Sequence, residues 1–446
     1  MYLFLLGRDS SLSKLELSIY LDKEKINYKI FKEENTYLLI DFLGYQINSN
    51  KMITDLGGII RIANIYHTTK TIDDKLIYKL DFLNKKSFNY SLSTIDVDED
   101  EIENVNEIIK TYFREEKAKA VFKKPKLLPV IKGKKKLVRR DIINPDNVMS
   151  WGLLKNGFEL FILKLDEEYI FAKTIACSTS NDYIFKDKNR PIKKDLFSTS
   201  FRLTKIMLNI LGLPSGRTIV DPFCGVGTFL IEGLIEGYDV IGIDKNNEMV
   251  AGARKNIAWA EKNFKIEGRN KLIIGDSTKV FFKADAACFE PYMGPFLDAR
   301  PNENRVRQIL SDIVPLYSAL FDNLSLNLKG KGRVVCVLPE FQTYDDKVIR
   351  LPEKVFLAHG FKIVPGNELS SKLNVVNPIP YNTPSGSKIL RNIYILEKGV
   401  MSAQELQRYK SNSTDEEIYL EKKAAYENKV ATNKFAKNFK SKNMID

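Results

Sequence analysis

One stretch constrains this chain more than any other: Thr218-Ile219-Val220-Asp221-Pro222-Phe223-Cys224-Gly225-Val226-Gly227-Thr228. A short β-branched run ends in an acid, passes through a glycine-bracketed turn, and opens a helix near Thr228. Glycines let the backbone approach a ligand closely, and in an α/β sheet such a ligand lies beyond the carboxyl end of the strand. The stretch therefore predicts an α/β fold holding an adenosine-containing cofactor. Asp221, Pro222, Phe223, Gly225 and Gly227 are its first candidate contacts.

The choice of cofactor rests on what the loop lacks. A dinucleotide fingerprint needs a third small residue three past the second glycine, and that position is Leu230. Asp221 also puts a carboxylate where a pyrophosphate would sit, and the two would repel. An acid there suits a cofactor carrying positive charge, as S-adenosylmethionine does on its sulfonium and ammonium groups. The next strand ends agree. Asp239-Val240-Ile241-Gly242-Ile243-Asp244 places Asp244 about twenty residues on, where it can accept from ribose hydroxyls. Leu272 to Ser277 places Asp276, followed by Ser277, where it can accept from an adenine amino group.

A fourth segment, Phe289-Glu290-Pro291-Tyr292-Met293-Gly294-Pro295, carries the expected chemistry. The lone pair of an exocyclic amine is delocalised into its ring. A carboxylate and a backbone carbonyl accepting from the two N–H bonds localise that lone pair and aim it at a methyl group. Glu290 and the carbonyl of Pro291 supply the acceptors, and the Tyr292 ring supplies a face for a flipped base.

With 446 residues and an ordinary apolar content, the chain is expected to form two or three domains. Strands ending at Asp221, Asp244, Asp276, Glu290 and Pro339 alternate with helical segments between 189 and 400. Two last strands lie at Lys362-Ile363-Val364 and Ile393 to Leu396. This pattern predicts a mostly parallel, doubly wound sheet. Residues 1–80 and 81–188 read as two smaller α/β modules. Ser13 and Glu16 form a candidate capping box for a helix through Leu21, and the Gly57-Gly58 pair reads as a turn or bulge. An acidic stretch from Asp96 to Glu107 leads a helix through Phe113. Beyond 401 the chain becomes a polar, lysine-rich tail.

Net charge is +12, which favours a polyanionic partner. The charge is concentrated: Lys117 to Arg140 holds eleven basic residues and no acid, with apolar residues interleaved. Lys123, Lys124, Lys134, Lys135, Lys136, Arg139, Arg140 and, further on, Arg190 are the candidate RNA contacts. A solvated lysine-rich face is the bland alternative. Four scattered cysteines without a Cys-x-x-Cys pair, and two histidines without partners at ligand spacing, point to a reducing compartment and no metal. Cys224 and Cys288 read as packing residues rather than nucleophiles. No apolar run is long enough for a membrane span, and a cytoplasmic protein is expected.

At this point the chain resembles a family, the THUMP-domain tRNA guanosine-N2 methyltransferases. Tyr2 to Gly7, Leu12-Ser13, Glu16-Leu17 and Leu56 to Ala63 are similar to that family's N-terminal half. Arg190-Pro191 with Asp195, Leu203 to Leu211, Asp221 to Thr228 and Asn256 resemble its linker and catalytic domain. The resemblance implies a ferredoxin-like domain over 1–80, a THUMP domain over 81–188 and a class I methyltransferase domain over 189–400. It implies tRNA as partner, with either a small activator subunit or a monomer. One departure stands out: the family has Asp-Pro-Pro-Tyr where this chain has Glu290-Pro291-Tyr292-Met293. Guanosine N2 in tRNA, position-10 type, is the expected acceptor. An rRNA or adenine-N6 amine, and a catalytically silent RNA-binding protein, are the alternatives that this departure opens.

Overall fold

The computed structural model describes residues 1–78, 86–124, 142–193, 199–381 and 388–399. The expected tail from 401, and with it Lys134, Lys135, Lys136, Arg139 and Arg140, lies outside the described residues. The chain divides into two compact units. The first takes Met1–Asn189, Ser200–Gly212 and Ser370–Val375; the second takes the rest.

In the first unit, strands β1 (Tyr2–Leu6), β2 (Lys29–Glu33), β3 (Tyr37–Asp41) and β4 (Ile59–Thr69) come from the first expected module. Strands β5 (Ser87–Ile95), β6 (Lys119–Phe122), β7 (Gly157–Leu165) and β8 (Glu168–Cys177) come from the second. The boundary expected near residue 80 does not interrupt the sheet. All eight strands join in the order β2-β3-β1-β4-β8-β7-β5-β6, because β4 and β8 pair antiparallel along most of their lengths. Separate apolar clusters fill the two halves, one around Phe4, Leu21 and Ile40, the other around Tyr90, Phe113 and Phe158.

The capping-box expectation is overturned. The first helix spans Ser10–Lys23, so Glu16 lies within it, fully buried rather than at its start. Its two carboxylate oxygens accept from the amides of Gly57 and Gly58 at 2.8 and 2.7 Å. Asn209 Nδ2 adds a third bond at 2.7 Å. The glycine pair is thus an amide cradle for a buried acid. Asn209 belongs to the helix Phe201–Ile210, expected to open the catalytic domain but packed within the first unit. The acidic-led helix runs from Glu99 to Glu115, with the Asp98 amide donating to Glu101 at 2.9 Å.

The second unit is built on a nine-stranded sheet. Its main strands are β9 (Thr218–Asp221), β10 (Asp239–Asp244), β11 (Asn270–Ile274), β12 (Ala284–Phe289) and β13 (Leu328–Gln342). Short strand β14 (Val348–Arg350) pairs with β13, β15 (Phe361–Ile363) forms one edge, and β16 (Ile379–Tyr381) pairs with β17 (Ile389–Lys398). The path runs β11-β10-β9-β12-β13-β17-β15. Strands β9 to β13 are parallel, and β17 runs antiparallel to β13, β15 and β16. Counted as seven main strands in chain order, this is 3-2-1-4-5-7-6, the class I methyltransferase arrangement. Strand order reverses between β9 and β12, and a doubly wound sheet opens its ligand crevice beyond the carboxyl ends at that point. Asp221 ends β9 and Glu290 directly follows β12, so both expected functional acids belong to this crevice.

Candidate active site

The loop after β9 is held by its own backbone. Asp221 is 3% exposed, and the Phe223 amide donates to its Oδ1 at 3.0 Å. Oδ2 has no donor among the described residues. Burial pushes this carboxyl up to about 8, against the Phe223 amide, and the nearby charges of Asp244 and Glu290 add to the rise. The Gly225 amide donates to Asp244 Oδ2 at 3.0 Å, and the Cys224 amide donates to the Ile243 carbonyl at 3.0 Å. The tips of β9 and β10 are thereby tied together. Asp244 Oδ1 accepts from the Asn246 amide at 2.9 Å, which opens the helix Asn247–Asn263.

Gly227 adopts φ +90°, a left-handed conformation that costs an L-residue about 1–2 kcal/mol, and caps the helix Thr228–Ile235. Leu230, in place of a third small residue, is accommodated from across the sheet. A Cβ on Gly242 of β10 would lie 2.5 Å from Leu230 Cδ1, so the close packing is met by a glycine on the strand instead of one on the helix.

Asp276 lies two residues beyond the end of β11 and is half-exposed. Its Oδ1 accepts from the Thr278 hydroxyl at 2.7 Å and the Thr278 amide at 3.0 Å, and these bonds hold its carboxyl below the usual range. Ser277 is buried, and its carbonyl accepts from Asn323 Nδ2 at 2.8 Å.

Arg190 corrects the expectation of an RNA contact. It is 3% exposed, and its Nη1 donates to the Thr228 hydroxyl at 2.9 Å, so no phosphate can reach it. Asn256, buried nearby, accepts from the Ile192 amide at 2.9 Å and donates to the carbonyls of Ile192 and Val226 at 2.9 and 2.8 Å. Together these residues latch the 190–192 segment onto the cofactor loop. The remaining described candidates are placed differently: Lys124 is exposed over the Phe122 ring at 5.6 Å, and Lys123 is half-buried, its amide extending the β5 ladder to Tyr90 at 2.8 Å.

At the fourth strand end, Glu290 Oε2 accepts from the Thr199 hydroxyl, and Arg391 Nε lies 3.0 Å from Oε1. That is an ion-pair distance, though the N–H is not aimed for a hydrogen bond. Pro291 is buried. Tyr292 is 54% exposed, while its carbonyl is pinned by the Tyr317 hydroxyl at 2.8 Å. Neither Thr199 nor Arg391 is visible to sequence reasoning: one precedes the catalytic fold's first strand and the other lies on its last, about a hundred residues away on either side. Cys224 and Cys288 are buried, and burial pushes both thiols up, which removes their nucleophilic form.

The UPF0020 family, an RMKL-like methyltransferase domain, matches residues 198–275. A tRNA (guanine(10)-N2)-dimethyltransferase of Methanothermobacter thermautotrophicus is 33% identical over 119 residues, which is 26% of this chain and 34% of that protein. A probable tRNA (guanine(10)-N2)-dimethyltransferase of Methanothermococcus thermolithotrophicus is 31% identical over 119 residues, 25% of this chain and 73% of that protein. The chain belongs to the tRNA (guanine(10)-N2)-dimethyltransferase family. The matched stretch spans about a third of the Methanothermobacter relative. Among solved structures, TrmN from Thermus thermophilus is similar with a TM-score of 0.49 at 11% identity, covering 89% of this chain and 99% of that one.

The crevice suits S-adenosylmethionine. Asp221 is a buried carboxyl that receives one backbone amide, and the loop that carries it has a backbone open to close approach at Gly225, where an added Cβ would meet only the Phe223 carbonyl at 4.0 Å. No described helix is long and apolar enough to cross a membrane. Among the described residues, no group of three His, Cys, Asp or Glu could hold a metal ion.

Proposed function

We propose that this protein transfers a methyl group from S-adenosylmethionine to the exocyclic N2 of a guanosine in tRNA, of the position-10 type, in the cytoplasm. The observation that carries the reading is the pairing of Asp221 with Glu290 at one switch point. A buried, under-partnered carboxyl faces the cofactor side, and a partly accessible carboxylate stands across from it. Family membership supports the substrate class.

The cofactor, when bound, supplies the electrophilic methyl carbon. Asp221 faces its positive charge, and Asp244 and Asp276 are placed for ribose and adenine. Asp244 keeps its loop bonds to Gly225 and Asn246, and each carboxylate oxygen has a second lone pair to offer. Glu290 and the Pro291 carbonyl accept from the two N–H bonds of the amine, which concentrates its lone pair on nitrogen. With the cofactor bound, Glu290 would take up the amine proton released on methyl transfer. Tyr292, with its backbone fixed by Tyr317 and its ring exposed, offers the stacking face. Basic residues Lys123, Lys124, Lys134, Lys135, Lys136, Arg139 and Arg140 are the proposed phosphate contacts, in the half of the sequence read as ferredoxin-like and THUMP.

The test is incubation of the full chain with unmodified tRNA and S-adenosylmethionine, followed by nucleoside mass spectrometry. N2-methylated guanosine is expected. Methylated adenosine with unmethylated guanosine would overturn the acceptor assignment.

A further inference from the structure

We infer that Arg391 is the positioning residue for the reacting carboxylate, fixing Glu290 through its guanidinium while Thr199 fixes the other oxygen. The inference rests on the methyl-transfer reading above.

Its basis is geometric. Arg391 sits on β17 in a register that pairs it with Pro339 of β13 on one side and Tyr381 of β16 on the other, so its backbone is held from both edges. Its Nε stands 3.0 Å from Glu290 Oε1, with side-chain exposures of 28% and 13%, and the pair is therefore partly desolvated. Thr199 donates to Oε2. A carboxylate offers about four lone-pair sites, so one cation and one hydroxyl leave a site free for the amine N–H that Glu290 accepts. Among the described residues, the groups facing Glu290 are Thr199, Arg391, the carboxyl of Asp221 and the phenol of Tyr317. Arg391 is the one cation among them, and it stands at Glu290, which leaves the cation seat at Asp221 for the cofactor.

The same pairing accounts for the departure from Asp-Pro-Pro-Tyr. An aspartate at 290 would draw the carboxylate back by about one C–C bond, ~1.5 Å, and lengthen its separation from Arg391 as the two stand here. The longer acid and the arginine on the last strand act as one device.

A double-mutant cycle in single-turnover methyl transfer tests this, using the full chain, tritium-labelled S-adenosylmethionine and tRNA. Arg391→Ala should lower the transfer rate by about 10-fold or more, the scale of losing one close charge pair. Cofactor and tRNA dissociation constants should stay within about twofold, because Arg391 acts on the transition state through Glu290. The Glu290→Ala, Arg391→Ala double variant should be no slower than Glu290→Ala alone. Arg391→Lys should recover part of the rate, a point charge replacing a planar one. Additive losses, or a rate in Arg391→Ala equal to or above that of the wild type, would overturn the inference and leave the function standing. A wild type that transfers no methyl to any RNA would bring down both.

Discussion

Two buried carboxyls, one in each unit, teach by contrast. Glu159 on β7 is 0% exposed and surrounded by donors: Arg61 Nη1 and the Ser93 hydroxyl at Oε1, and the Thr174 hydroxyl at Oε2 at 2.7 Å. Asp221 on β9 is 3% exposed and receives one backbone amide. Burial raises both, but at Glu159 a guanidinium and two hydroxyls work against the rise, while at Asp221 two further carboxylates reinforce it. A saturated buried acid is a structural element. An unsaturated one, at the switch point where the parallel strands β9 and β12 meet, is what the proposed function assigns to a cationic ligand.

The largest expected effect comes from breaking the saturated site. Arg61→Met leaves Glu159 buried beside two hydroxyls with no cation, and should cost about 3–5 kcal/mol in urea unfolding. A loss below about 1 kcal/mol would show that Glu159 does not depend on its partner, and the contrast would collapse.

Neutralising Asp221 itself should have the opposite sign. Because its carboxyl rises from 3.8 to about 8 on folding, the folded state holds a proton that the unfolded state has released. Stability therefore falls as pH rises across that interval. Asp221→Asn removes the penalty, so its melting temperature should exceed the wild type's at pH 7.5, with the advantage shrinking toward pH 4. Cofactor affinity should fall by about 30-fold or more, the worth of one close charge pair. A destabilised Asp221→Asn would place Asp221 with Glu159 as a structural acid.

Gly227→Ala is a smaller perturbation. It forces an alanine into φ +90° and sets its Cβ 3.2 Å from that of Ala253, for a loss of about 1–2 kcal/mol with weaker cofactor binding. Smallest is Lys124→Ala on the exposed face, which should reduce the salt slope of tRNA binding by about 0.7–0.9. An unchanged slope would mark that lysine as idle.

The sequence made the strand ends legible because acids at successive strand ends, a glycine loop and β-branched runs are local signals, and β9, β10 and β12 stand where they point. Long-range pairing was hidden. Glu16 looked like a cap because its neighbours are helical, while its partners Gly57, Gly58 and Asn209 are 41 to 193 positions away. Arg190 looked like a surface cation because charge alone says nothing of the Thr228 hydroxyl that receives it. Arg391 gave no signal at all: its role exists only because β17 lies beside β13, which brings it to the end of β12.

If Asp221 seats a cationic cofactor, calorimetric titration of S-adenosylmethionine into wild type and Asp221→Asn will separate the two proteins. Run near pH 7.5 in two buffers of different ionisation enthalpy, the measurement should show the wild type releasing a proton on binding as its raised carboxyl ionises against the cofactor. Asp221→Asn should bind weakly and show no such release. Equal affinities with equal proton counts in the two proteins would contradict the account.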